Sequence, residues 1–353
     1  MNNGILYDLY TGSFPSRTYL NLEVYRPSEK ATALAKEYKE LVADYPPGTL
    51  EKQSRIPEKL MKAMKRMGLF GISIPERYGG LGLSLSDYLY LVSVMAEEDM
   101  SLAIVPLAHL SIGMKGILLF GTEEQKRRYL TPAASGEMIF AYALTEPKVG
   151  SDAKHIETTA RLSDDGRAYI LNGSKTFITN GGYAGGFTVF ARIEGAEEGT
   201  IGAFIVETAA EGVTIGKDLP KMGLHVSSTT PVMLKNVRVP KENLLGAEGD
   251  GFKIAMSILN YGRLGLGAAS TGAGGYRDSS VPWIQSEKTA VDGIHSTSTP
   301  SPTMRRPTRR HHQAAMPPHS TSKSPSDSGW MKRLSNFDRN SDTGPLAGDC
   351  GDG

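Results

Sequence analysis

Residues 142–156, YALTEPKVGSDAKHI, and residues 171–182, LNGSKTFITNGG, open the part of the chain in which the hydrophobic pattern changes its period. Before Ala141 apolar residues recur at helical spacing. From Ala141 onward they alternate, and β-branched and aromatic residues cluster between turn signals. Thr145 and Ser151 place hydroxyls, and Gly150 an unobstructed backbone N–H, on a loop that follows a strand. Such a loop suits a diphosphate or an amphipathic ring, and it also reads as a well-capped turn. The chain contains neither a G-x-G-x-x-G fingerprint after a strand nor a G-x-x-x-x-G-K-[ST] phosphate loop.

Downstream, AYILNGSKTFIT (168–179) reads as a hairpin with Asn172-Gly173 as its tight turn. FTVFARI, TIGAFIVE, GVTIG and PVMLKNVRVP add short strands separated by Gly, Pro and Asn. A middle antiparallel, β-barrel-like domain is therefore expected over 141–247. Upstream, residues 1–140 read as a helical domain: PSEKATALAKEYKELVA, IPEKLMKAMKRMGLFG and the long apolar stretch from Ser84 to Gly121 are each apolar on one face. In GTEEQKRRYL, Thr122 and Gln125 form the pattern of a capping box, with acids in the first turn. The expected class is α+β.

Helical spacing returns at 248–274, where Phe252, Ile254, Ala255, Ile258, Leu259, Leu264, Leu266 and Ala268 open a third, helical domain. It does not continue. Residues 275–353 hold both tryptophans, Trp283 and Trp330, the cysteine Cys350, and His295, His311, His312 and His319. They are rich in Ser, Thr, Pro and Arg and have no stretch able to bury an apolar face, so a disordered tail is expected. RRPTRRHH within it also reads as a basic nucleic-acid arm, and its His pair as a metal site.

The 353 residues are 39% hydrophobic and 22% charged, ordinary for a soluble protein with more than one core. Lys plus Arg number 39 against 38 Asp plus Glu, so no global field points to nucleic acid or an anionic membrane. The N-terminus lacks a basic region ahead of an apolar one, and no run is read as reaching the roughly 18 apolar residues of a membrane span. A cytoplasmic location without a membrane span follows as the expectation. With Cys350 as the one cysteine, intramolecular disulfides and cysteine metal clusters are excluded, and any redox chemistry must come from a bound cofactor.

Along nearly the first 270 residues the chain resembles the acyl-CoA dehydrogenase family. The resemblance rests on ISIPERYGGLGLSLSDYL, FGTEEQKRRYLTPAASGE, YALTEPKVGSDA, LNGSKTFITNGG and the segment 221–256 beginning KMGLHVSST, together with ILNYGR at 258–263. The last two look closest to the long-chain and very-long-chain branch. The resemblance implies a noncovalent FAD against the β domain. Tyr142, Leu144, Thr145, Gly150 and Ser151 match positions lining its isoalloxazine and pyrophosphate, and Phe177, Ile178 and Thr179 match the segment covering the ring's other side. In the role it implies for Thr179, a donor faces flavin N5. Ser151, Asn260 and Arg263 match positions bordering the acyl-CoA, although the family more often has an acid where Asn260 stands. Arg263 also reads as an ordinary helix-surface charge. The implied partners are an acyl-CoA substrate and an electron-transfer flavoprotein, in a homo-oligomer whose building helices this sequence does not display.

The family's carboxylate base is absent from both of its addresses. Nothing after Gly274 contains the Glu-Gly-Thr phrase, and the alternative position, immediately before Arg263, is Gly262. No catalytic residue and no metal ligand is therefore assigned. A shifted reading frame near codon 274 is the simplest account of the break, a genuine variant with a disordered tail is the other, and weak or absent dehydrogenation of acyl-CoA to trans-2-enoyl-CoA is the expected outcome. A non-catalytic acyl-CoA- or flavin-binding or assembly protein, and an acyl-CoA oxidase or flavin monooxygenase on the same scaffold, stand as alternatives.

Overall fold

The computed structural model describes residues 25–45 and 48–275. The expected tail beyond them lies outside the described residues. Helices come first: α1 (Glu29–Val42), α2 (Glu58–Arg66), α3 (Leu85–Glu98) and α4 (Met100–Ala108). A π-turn, His109–Gly113, leads to α5 (Lys115–Phe120) and α6 (Glu123–Ala134). Side chains start most of them. Ser28, Ser84 and Asp99 accept from backbone N–H groups of the first turns of α1, α3 and α4. The Thr122–Gln125 capping box is present in both directions at α6, and the Gln125 amide also donates to the carbonyls of Glu242 and Leu244, tying the helix to the β region.

Eight strands follow among the described residues: β1 (Ile139–Ala143), β2 (Thr159–Leu162), β3 (Ala168–Thr179), β4 (Ala184–Ile193), β5 (Ile201–Glu207), β6 (Val213–Ile215), β7 (Thr229–Pro240) and β8 (Leu244–Leu245). They form one sheet in the order β6-β7-β3-β2-β4-β5-β8, with β1 added on β4. Most pairs are antiparallel, as expected, but β1 and β2 each run parallel to β4. A last helix, α7 (Gly251–Gly275), returns across α3 and α4. Phe187, Phe204, Tyr169 and Val237 fill a core inside the β region. A second core joins the helices to Phe140, Phe190 and Leu245 of the sheet and to Ile254 and Ile258 of α7.

Two sequence readings are corrected. Residues 168–179 are not a hairpin: β3 is one strand, paired with β7 from Ala168↔Pro240 to Thr179↔Thr229. Asn172-Gly173 marks a register shift instead, where the Asn172 side chain accepts from the Asn236 N–H at 2.8 Å. A side chain at Gly173 would place its Cβ 2.4 Å from Thr158 Oγ1, so the glycine lets the strand pass Thr158. The hairpin lies one strand earlier, between β2 and β3, where Gly166 has φ 65° and Ser163 and Asp165 close the turn. In addition, Met100–Phe120 is a 21-residue helical stretch long and apolar enough to cross a membrane, contrary to the reading of the sequence. It is a core helix here, with 78% of the apolar window buried within the fold.

The helices approach the sheet closely at Gly113, whose carbonyl accepts from Thr188 Oγ1 at 2.8 Å and whose added Cβ would meet the Phe140 carbonyl oxygen at 2.2 Å. Gly113→Ala should therefore destabilise the fold by about 1–3 kcal/mol through overpacking. Gly267→Ala, at a helical position with nothing within 4 Å of the new methyl, should stabilise by about 0.5–1 kcal/mol. Thermal melts of the two variants should move in opposite directions.

Candidate functional site: a cleft between the sheet and the last helix

The loop after β1 is held in place by a buried ion pair. Lys175 of β3 is fully buried, and its Nζ lies 2.6 Å from Glu146 Oε1, 2.7 Å from the Phe190 carbonyl and 3.3 Å from that of Leu144. Glu146 accepts in turn from the backbone N–H groups of Glu157 and Thr158. Burial raises the carboxyl pKa, but the Lys175 charge and these donors outweigh it and the net direction is down. Burial pushes the Lys175 ammonium down to about 8, against the pull of Glu146. The pair is therefore ionised at neutral pH. A further bond, from the Thr176 N–H to the Thr145 carbonyl at 2.9 Å, fastens the loop to β3.

This tether brings the two motifs to one cleft of about 400 Å³. Tyr142, Leu144, Thr145, Gly150, Ser151 and Ala153 form one side, and Phe177, Ile178 and Thr179 another. Ile112 of the π-turn and Met256, Leu259 and Arg263 of α7 complete it. The Tyr142 hydroxyl donates to the Ala255 carbonyl at 3.3 Å and its ring packs on Phe190; burial raises its pKa above the usual tyrosine range despite the nearby Arg263 charge. The hydroxyls of Thr145, Ser151 and Thr179 have no hydrogen-bond partner among the described residues. Nothing lies within 4 Å of a Cβ built on Gly150. Phe177 occupies the left-handed region at φ 56° and is 67% exposed, a conformation uncommon for an aromatic residue and located at the register shift between Lys175 and Ile178.

Of the residues singled out from sequence, only Asn260 is outside the lining. Its Oδ1 accepts from Arg263 Nη1 at 2.7 Å, so it orients the one permanently charged side chain that lines the cleft. Ile112, Ala153, Met256 and Leu259 were not anticipated. Met256, Leu259 and Arg263 share a helix face at i, i+3 and i+7, a signal the sequence did carry. Ile112 sits in the π-turn, where the 3.6-residue period breaks, and no such signal marks it. Among the described residues, no Asp, Glu or His lines the cleft. Gly262 is also sterically closed, because a Cβ there would meet Ile112 Cγ2 at 2.7 Å.

The profile described as "Acyl-CoA dehydrogenase, N-terminal domain" matches residues 28–137, and "Acyl-CoA dehydrogenase, middle domain" matches 141–237. The chain belongs to the acyl-CoA dehydrogenase family. It is 49% identical over 224 residues to the very long-chain specific acyl-CoA dehydrogenase, mitochondrial, of Bos taurus, covering 62% of this chain and 34% of that protein. Thus the chain spans about a third of that relative's length. Among solved structures, butyryl-CoA dehydrogenase from Megasphaera elsdenii superposes with a TM-score of 0.66 at 36% identity, over 70% of this chain and 67% of that one. An acyl-CoA dehydrogenase from Bacillus anthracis, complexed with FAD, also gives a TM-score of 0.66, at 40% identity over 71% of this chain and 43% of that one. For an acyl-CoA dehydrogenase flavin the lining is suitable: apolar Leu144 and Ile178 flank three unpartnered hydroxyls, and an open glycine permits close approach of a polar group.

The tether makes the site sensitive to a residue that does not line it. Lys175→Met should leave an uncompensated buried carboxylate and lower stability by about 3–5 kcal/mol. Adding Glu146→Gln, which removes that charge and keeps an acceptor oxygen for one of the Glu157 and Thr158 N–H groups, should recover part of the loss. A double variant no more stable than the single one in denaturant melts would contradict this account.

Proposed function

We propose that the cleft binds FAD noncovalently, with an acyl-CoA thioester beside it, as in an acyl-CoA dehydrogenase of the very-long-chain-like branch. The observation that carries this reading is the convergence of Thr145, Gly150, Ser151, Phe177, Ile178 and Thr179 with Met256, Leu259 and Arg263 around one cleft. Bound FAD supplies a hydride acceptor for the β-carbon of the thioester. The protein's own groups bind and orient. The Thr145, Ser151 and Thr179 hydroxyls offer donors to the polar edges of the flavin, and Leu144 and Ile178 offer apolar contact to its rings. Arg263, aligned by Asn260, offers positive charge to the phosphate-bearing end of the thioester. An electron-transfer flavoprotein is the proposed acceptor of the electrons.

Dehydrogenation to a trans-2-enoyl-CoA also needs a base at the α-carbon. With no carboxylate or imidazole among the residues lining the cleft, turnover by these residues is proposed to be weak. A positioned base is worth roughly 10²- to 10⁴-fold. Restoring one by Gly262→Glu requires room as well as charge, so the substitution should be combined with Ile112→Ala.

Titration of the purified protein with FAD, followed by flavin absorbance and then by anaerobic addition of butyryl- to palmitoyl-CoA, tests the reading. FAD should bind, Thr179→Val should weaken it by up to roughly tenfold, and acyl-CoA should bleach the flavin slowly. A folded protein that takes up no FAD would overturn the proposal. Rapid bleaching would show that a base other than those considered is present.

A further inference from the structure

The connection between β6 and β7, residues 216–228, bridges the helices and the wall of the cleft. Its backbone includes Leu224 in the left-handed region at φ 57°, a costly conformation for a branched residue that persists only when its surroundings hold it. Lys221 holds the loop from within, donating to the carbonyls of Leu224 and Ser227. His225 holds it from outside. Its backbone N–H donates to Glu51 Oε2 at 3.0 Å. Its Nδ1 lies 2.7 Å from the same carboxylate and 2.9 Å from the Glu51 carbonyl, and its Nε2 lies 2.8 Å from the Lys221 carbonyl.

Every one of these partners is an acceptor. A neutral imidazole carries one N–H, so one ring nitrogen would turn its lone pair toward an oxygen, whereas the imidazolium donates from both sides. We propose that His225 is a proton-dependent clasp that locks the β6–β7 loop onto the helical region through Glu51. Neither flavin binding nor dehydrogenase activity is needed for this inference. The facing charges are Glu51 from the 3₁₀ turn Leu50–Lys52, Asp99 beside Glu51 at the start of α4, and Lys221 and Asp218 on the loop, the last paired with Arg55. Hydrogen bonding to the Lys221 and Glu51 carbonyls, aided by the Glu51 charge, raises the His225 pKa above its ordinary value, against desolvation and the smaller opposing Lys221 charge. A raised pKa in the folded state means the contribution is complete below the ordinary histidine value and is lost as pH rises through the raised one.

The release reaches in two directions. The Val226 N–H, next in sequence, donates to Ser101 Oγ of α4 at 3.2 Å, and the Val226 carbonyl accepts from the Tyr183 hydroxyl at 2.7 Å. The Ser228 carbonyl accepts from the Asn180 N–H at 2.8 Å, and Asn180 directly follows Thr179 of the cleft. The amides of Val226 and Asn180 therefore report opening on the helical side and on the cleft side.

Amide hydrogen exchange on the full chain, corrected for intrinsic rates and referred to the amides of β5, tests the clasp. Between about pH 6 and about pH 9 the protection of Val226 and Asn180 should fall several-fold, with a midpoint above the ordinary histidine value of about 6.5. His225→Gln should show the low protection at both ends, and Glu51→Gln should move the midpoint downward. An NMR titration of the His225 ring in the unaltered protein needs no variant and should show the same raised midpoint. Protection independent of pH, or a ring that titrates at or below about 6.5, would overturn the proposal.

Discussion

A lysine with no exposed surface and a carboxylate almost as deeply buried set the relation between the two motifs of the β region. Neither Lys175 nor Glu146 can be buried alone without a large cost in lost hydration, and each is accommodated because the other, with four backbone groups, satisfies it. That requirement fixes where the loop carrying Thr145, Gly150 and Ser151 stands relative to the end of β3 carrying Phe177 and Thr179. Replacing the pair with apolar side chains of similar volume could fill the space. It would not hold the Leu144 and Phe190 carbonyls or the Glu157 and Thr158 amides, and the cleft walls depend on those groups.

Much of the architecture was legible because the period of the apolar residues is strong. The helices before Ala141, the α6 capping box, the strands after it and the return to helix at Phe252 are all written as pattern. Asn172-Gly173 misled because its composition fits a two-residue turn. What decides its conformation is the approach of Thr158, from a segment a strand away, and a local pattern carries no record of that contact. Asp165-Gly166 carries an equally good turn signal and is the one used. The Lys175–Glu146 pair escaped for a related reason: a lysine between Ser174 and Thr176 reads as an exposed strand position until its long-range partner is known.

The cleft was legible chiefly through resemblance. Physical reading of 142–156 alone favours a capped turn over a bound group for the same hydroxyls, and the family resemblance is what reverses that order. Arg263, read either as a substrate contact or as a surface charge, lines the cleft with Asn260 at its side. The closure of Gly262 by Ile112 belongs to a class of fact that sequence withholds. Gly262 and Gly267 lie in the same helix, one closed and one open, and the sequence does not say which.

The parallel pairing of β1 and β2 with β4 has a consequence for how the chain acquires its structure during synthesis. Both strands, and the Gly113 carbonyl in the helical region, complete their hydrogen bonds on residues 184–193, which emerge from the ribosome after them. The helices made first share their core with Phe140, Phe190 and Leu245, so their apolar faces wait uncovered until the middle of the sheet arrives. β4 is the keystone of the sheet: a nascent chain halted before it would present apolar surface to the cell, and the helical core closes only once α7 brings Ile254 and Ile258.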